Sequence, residues 1–380
     1  MNGFMISLAE KSDVDGSFNH ISRNAGSLVQ ERINALKIGQ KMQDLPIELW
    51  HKSFRFYVTE DADRKGGPNL RMIRLRPDRP SLTVTGYIFN KFVHPFENRF
   101  ITVREAARLQ GFPDDLQFKG SLTSSQLQVG NAVPVPLGAA VFKSILEALR
   151  RQYPRRRRFK ALSFFSGAGG LDLAAMAASS YFPIDVQLAA DAWADACDTL
   201  GSFVKYPVIQ TDLASVSDTS EWLQYQNVDP KIDIVFGGPP CQAFSSAGKQ
   251  HAVADSRGRL VFDFLRHVKS IDPPIFFMEN VSNLESVGNG ELFSEIQKVI
   301  RRMGYNLQVF SLLAADFGAP QLRRRLFFVG SKAGSVSTPV SSHSASEQLF
   351  SQKYVTVAEA FAGLPPARFR KKPSAGRLLL

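Results

Sequence analysis

The sequence predicts an α/β protein with a mainly parallel, doubly wound sheet and a second, smaller and irregular unit. Two observations carry that expectation. From Lys160 onward strand-like and helix-like segments alternate, and the strand-like runs are apolar without a clean two-residue alternation. Such runs suit strands buried on both faces, and the helices between them are the crossovers that parallel strands need.

In order, the pattern gives a strand over 161–165, a glycine turn and a helix from Leu171, then a strand over 186–191 and a helix through Leu200. Strands at 207–212 and 232–236 follow, then an amphipathic helix at 260–271, a strand at 275–278, a helix at 292–303, and strands near 307–313 and 326–330. Upstream, Thr102 is placed to cap a helix that Gly111-Phe112-Pro113 ends. The stretch from Gln128 to Pro134 reads as a turn, followed by a helix over 137–150. Outside this span the chain is irregular: a helix is expected over 28–42, a turn at Gly66-Gly67-Pro68, and surface loops over 331–351 and in the basic tail 368–377. Neither terminal region is expected to make a core alone, and there is no internal repeat or coiled-coil register.

A chain of 380 residues fits two domains. A net charge of +11, from 46 Lys and Arg against 35 Asp and Glu, suits a polyanionic partner, either nucleic acid or an acidic membrane surface. Met1 to Gly16 show no basic start leading into an apolar run, and about 18 consecutive apolar residues occur nowhere, so a soluble cytoplasmic protein is expected. Cys197 and Cys241 are the only cysteines, far apart, which argues against a disulfide framework; six histidines without ligand spacing argue against a metal. The run Arg155-Arg156-Arg157-Arg158 is read as a solvated linker in preference to a phosphate contact.

Phe165-Ser166-Gly167-Ala168-Gly169-Gly170-Leu171 lies between a strand and a helix, where glycines let the backbone approach a ligand and amides point outward. Asp191 ends the next strand, where a carboxylate can accept ribose hydroxyls. This geometry fits NAD as well as S-adenosylmethionine (AdoMet), and a tight helix-strand packing turn would carry the same glycines. The Gly-x-Gly-Gly spacing and a further acid, Asp212, after the third strand favour AdoMet.

Three more segments stand at the ends of strand-like runs: Gly237-Gly238-Pro239-Pro240-Cys241-Gln242-Ala243-Phe244-Ser245, Glu279-Asn280-Val281, and Gln321-Leu322-Arg323-Arg324-Arg325. Together they supply a nucleophile, an acid and cations. Their joint presence resembles the DNA (cytosine-5) methyltransferase family, whose signatures are a Pro-Cys-Gln loop, a Glu-Asn-Val strand end and a Gln-x-Arg-x-Arg segment.

The resemblance implies an AdoMet-dependent methyltransferase sheet beside a target recognition domain. Cys241 would be the nucleophile that adds to carbon 6 of a flipped-out cytosine in a specific double-stranded DNA sequence, activating carbon 5. Glu279 would hydrogen-bond the base at ring nitrogen 3 and the exocyclic amine, Arg325 would reach oxygen 2, Arg323 would support the pocket, and Asn280 would order the loop. For the cofactor, Phe165, Ser166, Gly167, Gly169, Gly170 and Leu171 would border the methionine part, Asp191 and Ala192 the ribose side, and Asp212 with Leu213 the adenine. Pro239 would border the same site, and Asn131 and Val133, matching a Gly-Asn-x-Val segment, would close over the amino-acid end. The family usually has glutamate followed by tryptophan where this chain has Asp191 followed by Ala192. Gln242, Ser245, Lys249 and Arg257, in and beyond a lid at 244–258, would touch DNA.

The segments are rotated relative to the family: those that usually come last occupy 99–134, ahead of the glycine turn, as in a circular permutation. A catalytic unit over 124–331, with its helix joined to the core by a basic linker at 151–159, and a recognition and hinge unit made of 332–380 plus 1–123 are expected. The resemblance further implies the modification member of a restriction-modification system, with a cognate endonuclease acting on the same site, a monomer, and a bacterial cytosol or nucleoid setting. A tRNA cytosine-5 methyltransferase and a catalytically silent DNA-binding relative are the alternatives, and an NAD oxidoreductase is the outsider.

Overall fold

A computed structural model describes residues 18–52, 55, 72–86, 91–240, 258–346 and 351–369. Its helices and central strands, in chain order, are α1 (Ser27–Ala35), α2 (Val103–Gln110), α3 (Leu122–Asn131), α4 (Val135–Gln152), β1 (Phe159–Phe164), α5 (Gly170–Ala178), β2 (Ile184–Asp191), α6 (Ala194–Gly201) and β3 (Val208–Gln210). There follow α7 (Thr219–Tyr225), β4 (Ile234–Gly237), α8 (Arg259–Ile271), β5 (Ile275–Val281), α9 (Glu291–Arg302), β6 (Asn306–Leu313), β7 (Arg324–Ser331) and α10 (Val357–Phe361).

The seven central strands form one sheet in the order β6-β7-β5-β4-β1-β2-β3. Neighbours from β5 to β3 run parallel, and β7 is antiparallel to both β5 and β6. The direction of winding reverses beside β1, with β2 and β3 on one side and β4 and β5 on the other. In open α/β sheets the crevice beyond the carboxyl ends of the strands at such a point is where ligands bind.

Both faces of the sheet are covered, as the apolar strands require. On one face Phe142 of α4 packs edge-on against Phe236 of β4 and Phe277 of β5, at centroid distances of 5.0 and 4.9 Å. Phe142 is fully buried, so truncating it to alanine would cost about 3–5 kcal/mol through lost burial and the cavity left behind. The helical stretch Leu122–Gln152, which spans α3 and α4, contains a window of mean hydropathy 1.5, but 89% of that window is buried inside the protein. It is a core element of the sheet's first layer.

The short helix α2 follows its sequence signals closely. Thr102 Oγ1 accepts from the Glu105 amide while Glu105 Oε2 accepts from the Thr102 amide at 2.7 Å, and Gly111 closes the other end in the left-handed region. Elsewhere the boundaries differ from expectation. The helix expected over 28–42 stops at Ala35, and a separate turn of 3-10 helix covers Met42–Asp44. Gln128 to Asn131 are the last turn of α3, begun by Ser121 as its cap, and the chain leaves the helix at Ala132. The Gly66-Gly67-Pro68 turn lies outside the described residues.

The two ends of the described chain meet. Ile21–Ser22 pairs in parallel with Arg368–Phe369, His20 Nε2 lies 2.8 Å from the Pro365 carbonyl oxygen, and Arg108 donates to the Ala362 carbonyl at 2.6 Å. The amino-terminal region makes no core alone: Ile33, Leu36 and Met42 form a small cluster only by packing on Val93 and Phe100. Nor is 331–351 simply surface: Ser331, Ala333, Val336 and His343 are buried.

Candidate functional site

The glycine turn is shaped by the sheet beneath it. Phe165 leaves β1 at φ 52°, a left-handed conformation that a bulky residue adopts only when its surroundings enforce it. Gly169 takes φ 87°, and a side chain there would drive its Cβ to 2.4 Å from Leu200 Cδ1. The loop is pinned by Asp191, whose two carboxylate oxygens accept from the Gly167 and Trp193 amides, each at 2.8 Å. Burial raises the Asp191 carboxyl above the ordinary range, opposed by those amides.

A cavity of about 730 Å³ opens beyond the carboxyl ends of β1 to β5. Phe165, Ser166, Gly167, Gly170 and Leu171 from the turn line it, with Asp191 and Ala192 after β2 and Asp212 and Leu213 after β3. Pro239, following β4, and Asn131 and Val133 complete the predicted lining. Gly169 stands apart: it is not in the wall, and its role here is to clear Leu200. Asp212 is exposed and caps the next turn through the Ala214 amide.

Sequence reasoning missed Trp193, which lies in the cavity wall one position after Ala192. The signal was present: the aromatic residue follows the acid by two positions instead of one. Thr85, Gly86 and Gln128 were also missed, because contacts between a loop and a helix more than forty positions away leave no local mark.

The acid and the arginines share this cavity. Glu279 lies within β5, opposite Phe327 of β7, and its Oε1 is 2.7 Å from Arg325 Nε. The Nε hydrogen is not directed along that line, so the contact is an ion pair more than a linear hydrogen bond. Burial pushes the Glu279 carboxyl up, and Arg325 and then Arg323 oppose it. A Cβ on Gly238 would lie 3.6 Å from Glu279 Oε2, which puts the start of the proline-lined loop against the carboxylate. Pro240, the last described residue of that loop, also lines the cavity, and Asn280 holds the loop by donating to the Pro239 carbonyl at 3.2 Å.

Arg323 is fully enclosed and ties three segments together, donating to the Val84 carbonyl at 2.6 Å and the Gly130 carbonyl at 3.0 Å. Gln321 repeats the pattern, accepting from the Val84 amide and donating to the Leu109 carbonyl. At this junction backbones nearly touch: a Cβ on Gly130 would fall 2.2 Å from Gly86 N. Cys241, Gln242, Ser245, Lys249 and Arg257 lie outside the described residues. The other cysteine, Cys197, is buried under Asp191, and burial pushes its thiol up to about 11, which leaves almost no thiolate at neutral pH.

Fold and cavity define a doubly wound α/β enzyme in which a nucleotide-type cofactor turn opens directly onto an acid-arginine pocket. The model of the C-5 cytosine-specific DNA methylase family matches residues 10–147 and 159–373, and the chain belongs to that family. The cofactor of that class is S-adenosylmethionine. Among curated relatives, the type II methyltransferase M.AquIA of Picosynechococcus sp. is 38% identical over 227 residues, covering 55% of this chain and 90% of that one. M1.HphI of Haemophilus parahaemolyticus is 38% identical over 208 residues, covering 54% and 52%. M.FnuDI of Fusobacterium nucleatum is 37% identical over 171 residues, covering 45% and 46%. The chain thus spans about half the length of the last two.

Proposed function

We propose that this chain transfers a methyl group from AdoMet to carbon 5 of a cytosine turned out of a specific double-stranded DNA sequence, as the modification enzyme of a restriction-modification system. The observation that carries the reading is the Glu279-Arg325 pair inside the cavity that the glycine turn walls, with Gly238 to Pro240 leading from it into Cys241. The names of the type II relatives support the DNA substrate and a partner endonuclease.

The residues present fit the cofactor. Ser166 Oγ is buried in the wall without a hydrogen-bond partner, the cradle at Gly170 is so close that a Cβ would meet the Val133 carbonyl at 2.5 Å, and Trp193 lines the cavity with its amide on the Asp191 carboxylate. When bound, AdoMet supplies an electrophilic methyl on a sulfonium. Asn131, Val133, Ser166 and Leu171 would hold it, with Asp191 toward the ribose and Trp193, Asp212 and Leu213 toward the adenine.

Carbon 5 of cytosine is too weak a nucleophile to accept a methyl group unaided, so the Cys241 thiolate adds to carbon 6 and pushes electron density across the ring. Burial raises the Glu279 carboxyl against the pull of Arg325, which favours its acid form, and in that form it donates to ring nitrogen 3 as negative charge develops there. Arg325 orients the carboxyl and reaches oxygen 2, while Arg323 fixes the carbonyls of Val84 and Gly130 around them. Loss of the carbon 5 proton to water or hydroxide then restores the ring double bond and expels Cys241 as its thiolate. The base reaches these groups only outside the stacked duplex. Recognition falls to 332–380 together with 1–123, which the pairing of Ile21–Ser22 with Arg368–Phe369 draws together and which a circular permutation would have split.

The test is incubation with labelled AdoMet and either duplex DNA or tRNA, mapping of the methylated positions, and repetition with Cys241→Ser. Label is expected on DNA cytosines in one short sequence context, and none with the variant. Label on adenine, on tRNA alone, or undiminished without the thiol refutes the reading.

A further inference from the structure

The arginine run between α4 and β1 has no part in this chemistry. Residues 150–158 hold six arginines and no acid. Three are engaged: Arg150 lies 5.2 Å from the Phe182 ring centroid, Arg151 donates to the Ser335 carbonyl at 3.0 Å, and Arg156 pairs with Asp233. Arg155, Arg157 and Arg158 are exposed and make no ion pair or hydrogen bond among the described residues. Three acids of this edge are already matched, Asp233 by Arg156, Asp229 by Lys160 and Asp272 by Lys332. Glu147 and Asp185 remain against five arginines that carry no ion pair.

The run is held in place. Tyr153 closes α4 by donating to the Leu149 carbonyl at 2.7 Å, and the Arg156 amide donates back to Tyr153 at 3.1 Å. The guanidiniums therefore project from an ordered turn. That turn feeds β1 at Phe159, whereas the cavity begins after Phe164. Six residues at about 3.3 Å each put the two roughly 20 Å apart, at opposite ends of the central strands. The family match also breaks at this point, leaving out 148–158.

The geometry points to a second phosphate-binding face, in which Arg155, Arg157 and Arg158 hold the backbone of a DNA segment other than the one whose cytosine enters the cavity. Guanidinium forks suit phosphate oxygens, and each contact releases counterions. The inference takes only its choice of polyanion from the proposed function.

The experiment compares the full chain with Arg155→Ala/Arg157→Ala/Arg158→Ala and with the corresponding triple lysine variant. Binding to long duplex DNA lacking the target site is measured against salt. Loss of three contacts at about 0.9 each should flatten the log-log slope by about 2.7, and lysine should restore it. Methylation of a single-site duplex of about 20 base pairs should stay within about twofold, while any preference for the same site in long DNA should fall. An unchanged slope overturns the inference, as does an equal loss on the short duplex, which would place the run in the catalytic cleft. Weakened binding to vesicles of anionic lipid with the DNA slope intact would assign the face to a membrane instead. If no DNA is methylated by any form the proposed function fails, and the salt slope still decides this face.

Discussion

Asp172 gives the sharpest prediction about stability. It sits in the first turn of α5, fully enclosed, with Ser163 Oγ and Tyr206 Oη each donating to it at 2.9 Å. Burial outweighs both donors and pushes its carboxyl from 3.8 to about 6. The folded chain therefore keeps a proton that the unfolded chain has already lost. Stability from this group is full below the unfolded value, falls as pH rises toward about 6, and stays at the lower level above it. A rise of about two pH units corresponds to roughly 3 kcal/mol. Asp172→Asn keeps the shape and cannot ionise. Urea unfolding of both proteins between about pH 4 and pH 7 should show the variant gaining roughly 2.4 kcal/mol relative to wild type as pH rises, the part of the full change that lies above about pH 4. Contributions from other carboxyls cancel in that difference. Parallel curves, or a difference growing the other way, would refute the burial reasoning.

Glu279→Gln should lower kcat by about 10²- to 10⁴-fold, the usual worth of a positioned acid. Because burial raises the Glu279 carboxyl, wild-type activity should decline as pH rises through its folded value, and a pH-rate profile of the variant should lack that limb. Gly130→Ala presses a methyl onto the backbone at Gly86 and Thr85, at 2.2 and 2.3 Å. Calorimetry should show a loss of about 1–3 kcal/mol or more, with weaker AdoMet binding because Asn131 and Val133 follow directly. Trp193→Ala should raise the Kd for AdoMet about tenfold if it removes 1–2 kcal/mol of ring contact, with kcat at saturation changed far less.

Much of the catalytic half was legible because its signals are local. Apolar strands between helices gave the sheet from β1 to β7, and the glycine turn together with acids after β2 and β3 marked the cavity edge. The missed features are those set by distant contacts. The first four residues of the turn expected over 128–134 are helical because Gln128, Val129 and Gly130 are buried against other segments, and burial overrides the weak helix preference of glycine and asparagine. Helix α7 was overlooked because it is short and mostly polar, with Asp218 as its cap. Trp193 escaped because a one-residue displacement after Asp191 matters only once β2 has been folded against the turn. Arg323 was placed in the pocket by resemblance, but its grip on Val84 and Gly130 joins positions more than a hundred residues apart.

The claim on which the chemistry depends is a covalent bond between the Cys241 sulfur and an extruded cytosine. A duplex carrying 5-fluorocytosine at the target position, incubated with the protein and AdoMet, blocks the final loss of the carbon 5 substituent. It should leave a denaturant-stable protein-DNA complex whose peptide map places the adduct on Cys241. Failure to trap any complex with a duplex whose unfluorinated counterpart is methylated, or an adduct on Cys197, would contradict it.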